Sequence, residues 1–322
     1  MDRSVVVIGG ANVDIGGTPF NKLIPSDSNP GTVSLSVGGV GRNIAHNLSL
    51  LEVPVTLVTS VGGDYFGAQI IKDCRSAGIR TSHIVIDYDN TTSAYLYIND
   101  EEGDMALALS HIKLDLITPE YIDSIGDVIN SAEILALDAN ITQETFIRIK
   151  EVCNVPIFVD PVSQSHARKI KGHLDGIDII KPNRLEAELL TGININTVGD
   201  YKRAALELLD QGVRKVFISM GNIGMLAAHD NNVYLISRCN ADVVSTTGAG
   251  DSAAAAIIWA YTTLKDELKS IENEDDLLIT AAKAANSAAS MTINSVKTIN
   301  NDINQTKIME KLLFSDMKVI KL

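Results

Sequence analysis

Short runs rich in Val and Ile alternate along the chain with longer stretches whose apolar residues recur every three or four positions. That alternation predicts βαβ units around a mostly parallel sheet. Val5-Val6-Val7-Ile8 reads as a buried first strand, closed by Gly9-Gly10. Ile44, Ala45, Leu48 and Leu51 share one helical face ahead of a strand at Val55-Thr56-Leu57-Val58. Phe66, Ile70, Ile71, Cys74 and Ala77 repeat the helical spacing, with Gly78 placed to end that helix. Later units pair strand Ile134–Leu137 with helix Gln143–Val152, then add strand Pro156–Val159. Strand Ile177–Ile180 with helix Arg184–Leu190, and helix Tyr201–Leu209 with strand Lys215–Ser219, continue the series. The last quarter reads as helix, over Asp251–Leu264 and Asp276–Thr292.

Two segments break this rhythm. From Thr92 to Ser110 the apolar pattern has period two, with Tyr95 and Tyr97 on one parity and Met105, Leu107 and Leu109 on another. Around the polar Asn99-Asp100-Glu101-Glu102-Gly103 that pattern predicts a β-hairpin. Residues Ile15–Ser36, with three prolines followed by alternating Val33, Leu35 and Val37, predict a second non-helical excursion. Together they suggest a small flap beside a main α/β body; ordinary surface β-structure is the plainer reading. No internal repeat and no low-complexity linker divides the chain, so residues 1–322 read as one domain.

Composition narrows the classes. A chain of 322 residues, 45% apolar, buries roughly three quarters of its unfolded surface and needs no disulfide or metal to hold a core. Its 40 acidic against 27 basic residues give a formal charge of −13. Binding to a nucleic-acid polymer demands clustered cations, and no run of five basic residues occurs. Any nucleotide handled here is small and free. Cys74, Cys153 and Cys239 are odd in number and never arranged as CxxC, which fits a reducing compartment and no zinc site. Val5–Ile8 is too short for a signal-peptide core. The longest apolar run, Ala253–Ala260, is far too short for a membrane span. A cytoplasmic α/β protein is expected.

Three glycine clusters could cradle phosphate. The first, Gly9-Gly10-Ala11-Asn12-Val13-Asp14, follows a strand but opens no helix, so it lacks the dinucleotide fingerprint. Asn12 and Asp14 lie just past the carboxyl end of a buried strand, the edge where α/β sheets bind ligands; an Asx-turn that merely ends the strand is the competing reading. In the second, Gly38-Gly39-Val40-Gly41-Arg42-Asn43, a helix does follow, and Asn43 on its first turn can bond a pair of hydroxyls. A tight turn with no ligand fits equally. The third, Thr246-Thr247-Gly248-Ala249-Gly250-Asp251-Ser252, precedes a strongly helical run. Amides of residues 248 to 251 would point out of a helix N-terminus, where unpaired N–H groups and the helix dipole favour an anion. Asp251 in that turn suits proton abstraction from an attacking hydroxyl; alternatively it only complements the dipole.

GxxxxGK[ST], HExxH and GxSxG are all absent, which disfavours a P-loop NTPase, a metalloprotease of that type and an α/β-hydrolase. Asp160-Pro161 and Lys181-Pro182-Asn183-Arg184-Leu185-Glu186 are polar spots at strand ends. Asn183 and Glu186, three apart on a first helical turn, could hold a hydrated Mg²⁺ or form a capping box instead.

Taken in order, the GG-x-G-x-N turn, the N-x-x-E and the T-x-G-A-G-D before a late helix resemble the PfkB, or ribokinase-like, family of sugar kinases. The likeness spans essentially the whole chain. It implies a three-layer α/β sandwich with a mostly parallel central sheet and a small β lid, inserted at about 15–36 and 92–110. It further implies an ATP- and Mg²⁺-dependent kinase that works as a homodimer, touching neither membrane nor polymeric nucleic acid. Asp251 would be the base, with the amides of Gly248, Ala249 and Gly250 as anion hole. Asn12, Asp14, Gly38, Gly39 and Asn43 would hold sugar hydroxyls, Asn140 would lie near substrate or phosphate, and Asp14 with Asn43 would pair two ring hydroxyls. Asn183 and Glu186 would organise Mg²⁺ and the phosphates, Glu186 through water. Ser219, Gly221, Gly224 and Asn286 would line the nucleotide site. Residues 29–48 are most similar to members acting on the 5′-hydroxyl of a free C-nucleoside. A kinase for ribose, adenosine or another nucleoside, or a non-catalytic sensor, stays open, with Tyr95, Tyr97, Met105 and His111 as candidates to read the base. Many members begin the late motif with Asp-Thr, which helps place a monovalent cation; Ser245-Thr246 stands here instead, which weakens that expectation.

Overall fold

A computed structural model describes residues 4–322; Met1, Asp2 and Arg3, the start of the segment read above for a leader, lie outside the described residues. Among the described residues, fourteen strands form two sheets. In chain order they are β1 (Val5–Ile8), β2 (Asn12–Pro19), β3 (Gly31–Gly38), β4 (Val55–Gly62) and β5 (Arg80–Asp87). Next come β6 (Ala94–Asn99), β7 (Met105–His111), β8 (Ile134–Asp138), β9 (Ile157–Asp160) and β10 (Ile179–Ile180). The last are β11 (Lys215–Ser219), β12 (Gly224–His229), β13 (Asn232–Ser237) and β14 (Val319–Lys321).

The large sheet runs β14-β13-β12-β11-β10-β9-β8-β1-β4-β5. Every pairing from β11 to β5 is parallel, and β12, β13 and β14 add an antiparallel edge. Alternation within β1 explains its unbroken apolar run: Val5 and Val7 point into one core, Val6 and Ile8 into the other. Both faces are therefore covered, as a parallel sheet requires. One face carries α1 (Val40–Leu50), α2 (Tyr65–Ser76), and later helices of the chain. The other carries α3 (Pro119–Ser124), α4 (Gly126–Asn130), α5 (Gln143–Val152), α6 (Gln164–Ile170), α7 (Arg184–Thr191) and α8 (Val198–Asp210). The first face is completed by α9 (Ala249–Trp259), continued by a π-helical turn at Ala260–Leu264, and by α10 (Lys265–Glu267), α11 (Glu274–Ile293) and α12 (Gln305–Phe314). Layers of helix, sheet and helix result, as the resemblance implied.

The two period-two segments join into one four-stranded sheet, β3-β2-β6-β7. Antiparallel hairpins β2–β3 and β6–β7 meet along a parallel β2–β6 pairing, in which Asp14 faces Tyr95 and Gly16 faces Tyr97. One face thus carries Asp14, Tyr95 and Tyr97, and the other carries Val33, Leu35, Leu107 and Leu109. A bulge after Ile98 moves Met105 to the tyrosine side, where the Tyr95 hydroxyl meets its sulfur at 3.3 Å. The strand read as Ile177–Ile180 is reduced to Ile179–Ile180; the Ile177 amide closes the preceding turn on Leu174, while the Asp178 amide already bonds the Ile157 carbonyl of β9.

Candidate active site

Parallel strands present their carboxyl ends along one edge of the large sheet, and that edge builds the floor of the site. β8 ends on Asp138 and β9 on its register partner Asp160, while Lys181 follows β10 and Ser219 ends β11. Asp138 is fully buried and accepts from the amides of Gly10 and Gly41, both at 2.7 Å, and of Asn140 at 2.9 Å. Burial raises its carboxyl above the usual range while those donors oppose the rise. It welds the β1–β2 corner to the start of α1, a task that no sequence motif announced. Asp160 accepts from the Val162 amide at 2.9 Å, and Val162 holds a positive φ of 67° to make that turn. A β-branched residue resists this conformation, so the loop spends strain to fix Asp160.

α9 begins in the glycine-rich turn. Gly248 caps it at φ 82°, and an added Cβ there would lie 2.2 Å from the Thr298 carbonyl oxygen, so only glycine fits. The first regular bond of the helix runs from the Ser252 amide to Gly248. Ahead of it, the amides of Gly250 and Asp251 are the unpaired donors every helix start leaves; Ala249 has only a long 3.4 Å contact to Thr246. Asp251 accepts from Asn43 Nδ2 at 2.8 Å and lines the cleft. Burial pushes its carboxyl up to about 7; nearby Asp160 adds to the rise, and the Asn43 hydrogen bond and Lys181 pull against it.

Lys181 answers the local excess of carboxylates. Its ammonium lies 3.0 Å from Asp160 Oδ2, with both side chains buried. Burial alone would lower it, but Asp160 and Glu186 outweigh that and raise it, so it stays charged. Asn183 and Glu186 form a complete capping box on α7. Glu186 Oε2 accepts from the Asn183 amide at 2.8 Å and Oε1 from its Nδ2. Burial, with Asp160 beside it, raises Glu186 to about 7. The capping reading is therefore realised, yet each carboxylate oxygen keeps a second lone pair. Hard oxygen donors on Asp160 and Glu186 fit a Mg²⁺ held through its waters.

The nucleotide-side residues come together. Asp160, Lys181, Asn183, Glu186, Ser219, Gly221, Gly224, Ala249, Gly250, Asp251 and Asn286 all border one cleft of about 750 Å³. Ser219 bridges to Asn183, and the Met220 amide closes the following turn on Gly224. Asn286 donates from its amide nitrogen to the carbonyls of Ile236 and Ser237.

The residues expected to hold sugar hydroxyls form a second group at the root of the small sheet. Asn12 donates to Asp14 at 2.7 Å. Burial raises the Asp14 carboxyl, against that bond and the Arg42 charge. At Gly38 an added Cβ would sit 2.3 Å from the Asp14 carboxylate, and at Gly39 2.4 Å from the Gly10 carbonyl. Their missing side chains make room for protein atoms. Asn140 lies at the same corner, its amide on the Asp138 carboxylate and its side-chain nitrogen 2.9 Å from where a Cβ on Gly10 would stand. Asn43 joins the groups through Asp251. The arrangement sets a carboxylate beside the free amides of a helix start and links them, through Asn43, to the polar residues at the root of the small sheet.

Comparison with known proteins agrees with this chemistry. Residues 2–306 match the family described as pfkB family carbohydrate kinase. Pseudouridine kinase of Escherichia coli is 36% identical over 79% of this chain and 82% of its own. Among solved structures, a putative sugar kinase from Clostridium perfringens superposes with a TM-score of 0.83 at 28% identity, covering 100% of this chain and 99% of that one. Arabidopsis thaliana ribokinase complexed with ribose and ATP shares the fold, with a TM-score of 0.81 at 22% identity over 98% and 100% of the two chains.

Proposed function

The chain belongs to the pfkB family of carbohydrate kinases, a phosphotransferase with a sugar or nucleoside hydroxyl as acceptor, and from that premise we propose that it phosphorylates the 5′-hydroxyl of free pseudouridine with ATP. The observation that carries the reading is Asp251 at the mouth of the α9 N-terminus, open to the cleft and tied through Asn43 to the sugar-side group. Identity to the E. coli pseudouridine kinase favours that nucleoside, and the charge of −13 favours a free nucleoside over RNA.

Asp14 and Asn43 accept and donate to the two ring hydroxyls, holding the 5′-oxygen beside Asp251. Asp251 takes the hydroxyl proton on a carboxylate oxygen as the 5′-oxygen forms its bond to the γ-phosphorus and the bond to the β,γ-bridging oxygen breaks, releasing ADP. Such a transition state is loose, so positioning and charge stabilisation dominate. Amides of Gly248, Ala249 and Gly250 face the charge on the transferring group. Mg²⁺, held through water by Glu186 and Asp160, would neutralise phosphate charge when bound. Ser219, Gly221, Gly224 and Asn286 border the ATP. The small sheet acts as a lid that excludes water from the transfer, with Tyr95 and Tyr97 on its inner face.

The opposite face of that lid exposes Val33, Leu35, Leu107 and Leu109, an apolar patch of the kind that protein contacts cover. In this reading two chains pair through it to form a homodimer. Residues 1–322 work as one domain in the cytoplasm, consistent with three free thiols; among the described residues no helix is long and apolar enough to cross a membrane. The test is phosphate transfer from ATP to pseudouridine, uridine, ribose and adenosine at equal concentration. Pseudouridine should be the best acceptor by kcat/KM. Faster turnover of another acceptor would reassign the substrate within the family, and no turnover of any would leave a ligand sensor.

A further inference from the structure

One buried cation near the site has no role in the steps above. Arg42, on the first turn of α1, is 3% exposed. Its Nη1 donates to Asn43 Oδ1 at 3.0 Å and to the Val37 carbonyl at 3.2 Å, and its Nη2 donates to the Asp73 carboxylate on α2. His46 also faces Asp73, at 3.9 Å. Burial, reinforced by Arg42, holds that imidazole down at about 4, so it is neutral near pH 7. Cys74 is likewise neutral, its thiol pushed up to about 11 mainly by burial. Asp73 is therefore the one charged group bonded to Arg42 among the described residues.

A buried ion pair of this kind is a poor source of stability, because desolvation offsets the attraction. Its geometry does something more specific. The two ends of an asparagine amide are nearly the same shape, and only their hydrogen-bond partners decide which way the group faces. At Asn43 one end meets a guanidinium and the other meets Asp251. With Oδ1 on Arg42, Nδ2 donates to the carboxylate. Turned over, the amide would set oxygen against Asp251 and NH₂ against the guanidinium, losing both bonds and adding two repulsions.

We propose that Arg42 is a positioning residue for phosphoryl transfer, clamping the Asn43 amide so that its N–H groups serve Asp251 and the acceptor. The clamp is anchored on α2 through Asp73 and on the root of the lid through the Val37 carbonyl. Lysine could keep the charge opposite Asp73, but as a compact ammonium it could not span Asp73, Val37 and Asn43 as the planar fork does. The inference rests on Asp251 being the base, and the experiment separates the two.

Steady-state kinetics on the full chain, with ATP and whichever of the four acceptors above is turned over best, would compare wild type, Arg42→Lys, Asn43→Ala, the double variant and Asp251→Asn. Labelled product is followed for hours so that slow variants are measurable. Arg42→Lys is expected to lower kcat by about ten- to a hundred-fold, the worth of one hydrogen bond to a charged group, with the KM for ATP changed less than about two-fold. In the Asn43→Ala background the same substitution should change kcat by less than about two-fold, since the clamp then holds nothing. An equal loss in both backgrounds, or full kcat in a folded Arg42→Lys, overturns the proposal. Should Arg42→Lys fail to fold, Asp73→Asn frees the far end of the guanidinium and enters the same cycle with the same two outcomes. Activity retained by Asp251→Asn, or no turnover by wild type, overturns the base reading and the clamp with it. An inactive Asp251→Asn beside an additive cycle overturns the clamp alone.

Discussion

Asn43 and Asp251 are 208 positions apart in the chain, yet the amide nitrogen of one lies 2.8 Å from the carboxylate of the other. That single bond connects the start of α1, at the root of the small sheet, to the start of α9, where on the proposed function a phosphoryl group would be received.

Because burial and Asp160 push Asp251 up to about 7, the free enzyme holds a mixture of acid and base forms near neutrality. Only the ionised form accepts a proton. kcat/KM should therefore level off above about pH 8 and fall close to ten-fold per pH unit well below 7. A pH–rate profile measures this directly; a flat profile between about pH 5.5 and 8 would remove Asp251 as the titrating base.

The same burial has a stability consequence of opposite sense. A carboxyl whose folded value exceeds its ordinary 3.8 favours folding when protonated, so its cost appears as pH rises from about 4 through 7 and is complete above. Asp251→Asn should therefore be more stable than wild type at pH 8, by up to a few kcal/mol, with the gap closing toward pH 4. Urea denaturation at the two pH values reads the difference.

Among the described residues, Lys181 is the cation set among Asp160, Glu186 and Asp251. Lys181→Met leaves Asp160 buried with its partner gone, which costs roughly 3–5 kcal/mol for a broken buried pair. It also removes a pull on Asp251, so the acid limb of the rate profile should move to higher pH. Unchanged stability together with an unmoved limb would show that the ammonium is not engaged as described.

Asp14 is expected to act on the acceptor alone. Asp14→Ala should raise the acceptor KM by about ten- to a hundred-fold, one charged hydrogen bond's worth, while the KM for ATP changes little. Equal effects on both substrates would place Asp14 in the frame of the site and away from the sugar.

Much of this was legible in the sequence where local pattern dominates. Helix α5 and strand β11 have the bounds their periodicity indicates, Gln143–Val152 and Lys215–Ser219. The Gly248–Asp251 turn was legible because glycine and a helix-forming run fix its geometry without help from elsewhere. Long-range pairing was not. Period two located both hairpins of the small sheet, but nothing local foretells that β2 and β6 pair in parallel and set Tyr95 beside Asp14. Strands β12 and β13 escaped notice because Gly224–Ser237 carries its apolar residues on both faces. Asp138 and Arg42 were hidden for a related reason. Their partners, Gly10, Gly41 and Asp73, are remote in sequence or unremarkable in type. Gly38 and Gly39 were visible as glycines, but the atoms that need their space belong to Asp14 and Gly10.

The most direct test is phosphate transfer from ATP to pseudouridine by wild type and Asp251→Asn, each shown to be folded by its thermal transition. Wild type should form pseudouridine 5′-phosphate, and the variant should be slower in kcat by roughly 10²–10⁴-fold, the range for losing a general base. A folded Asp251→Asn that turns over at near the wild-type rate would contradict the account.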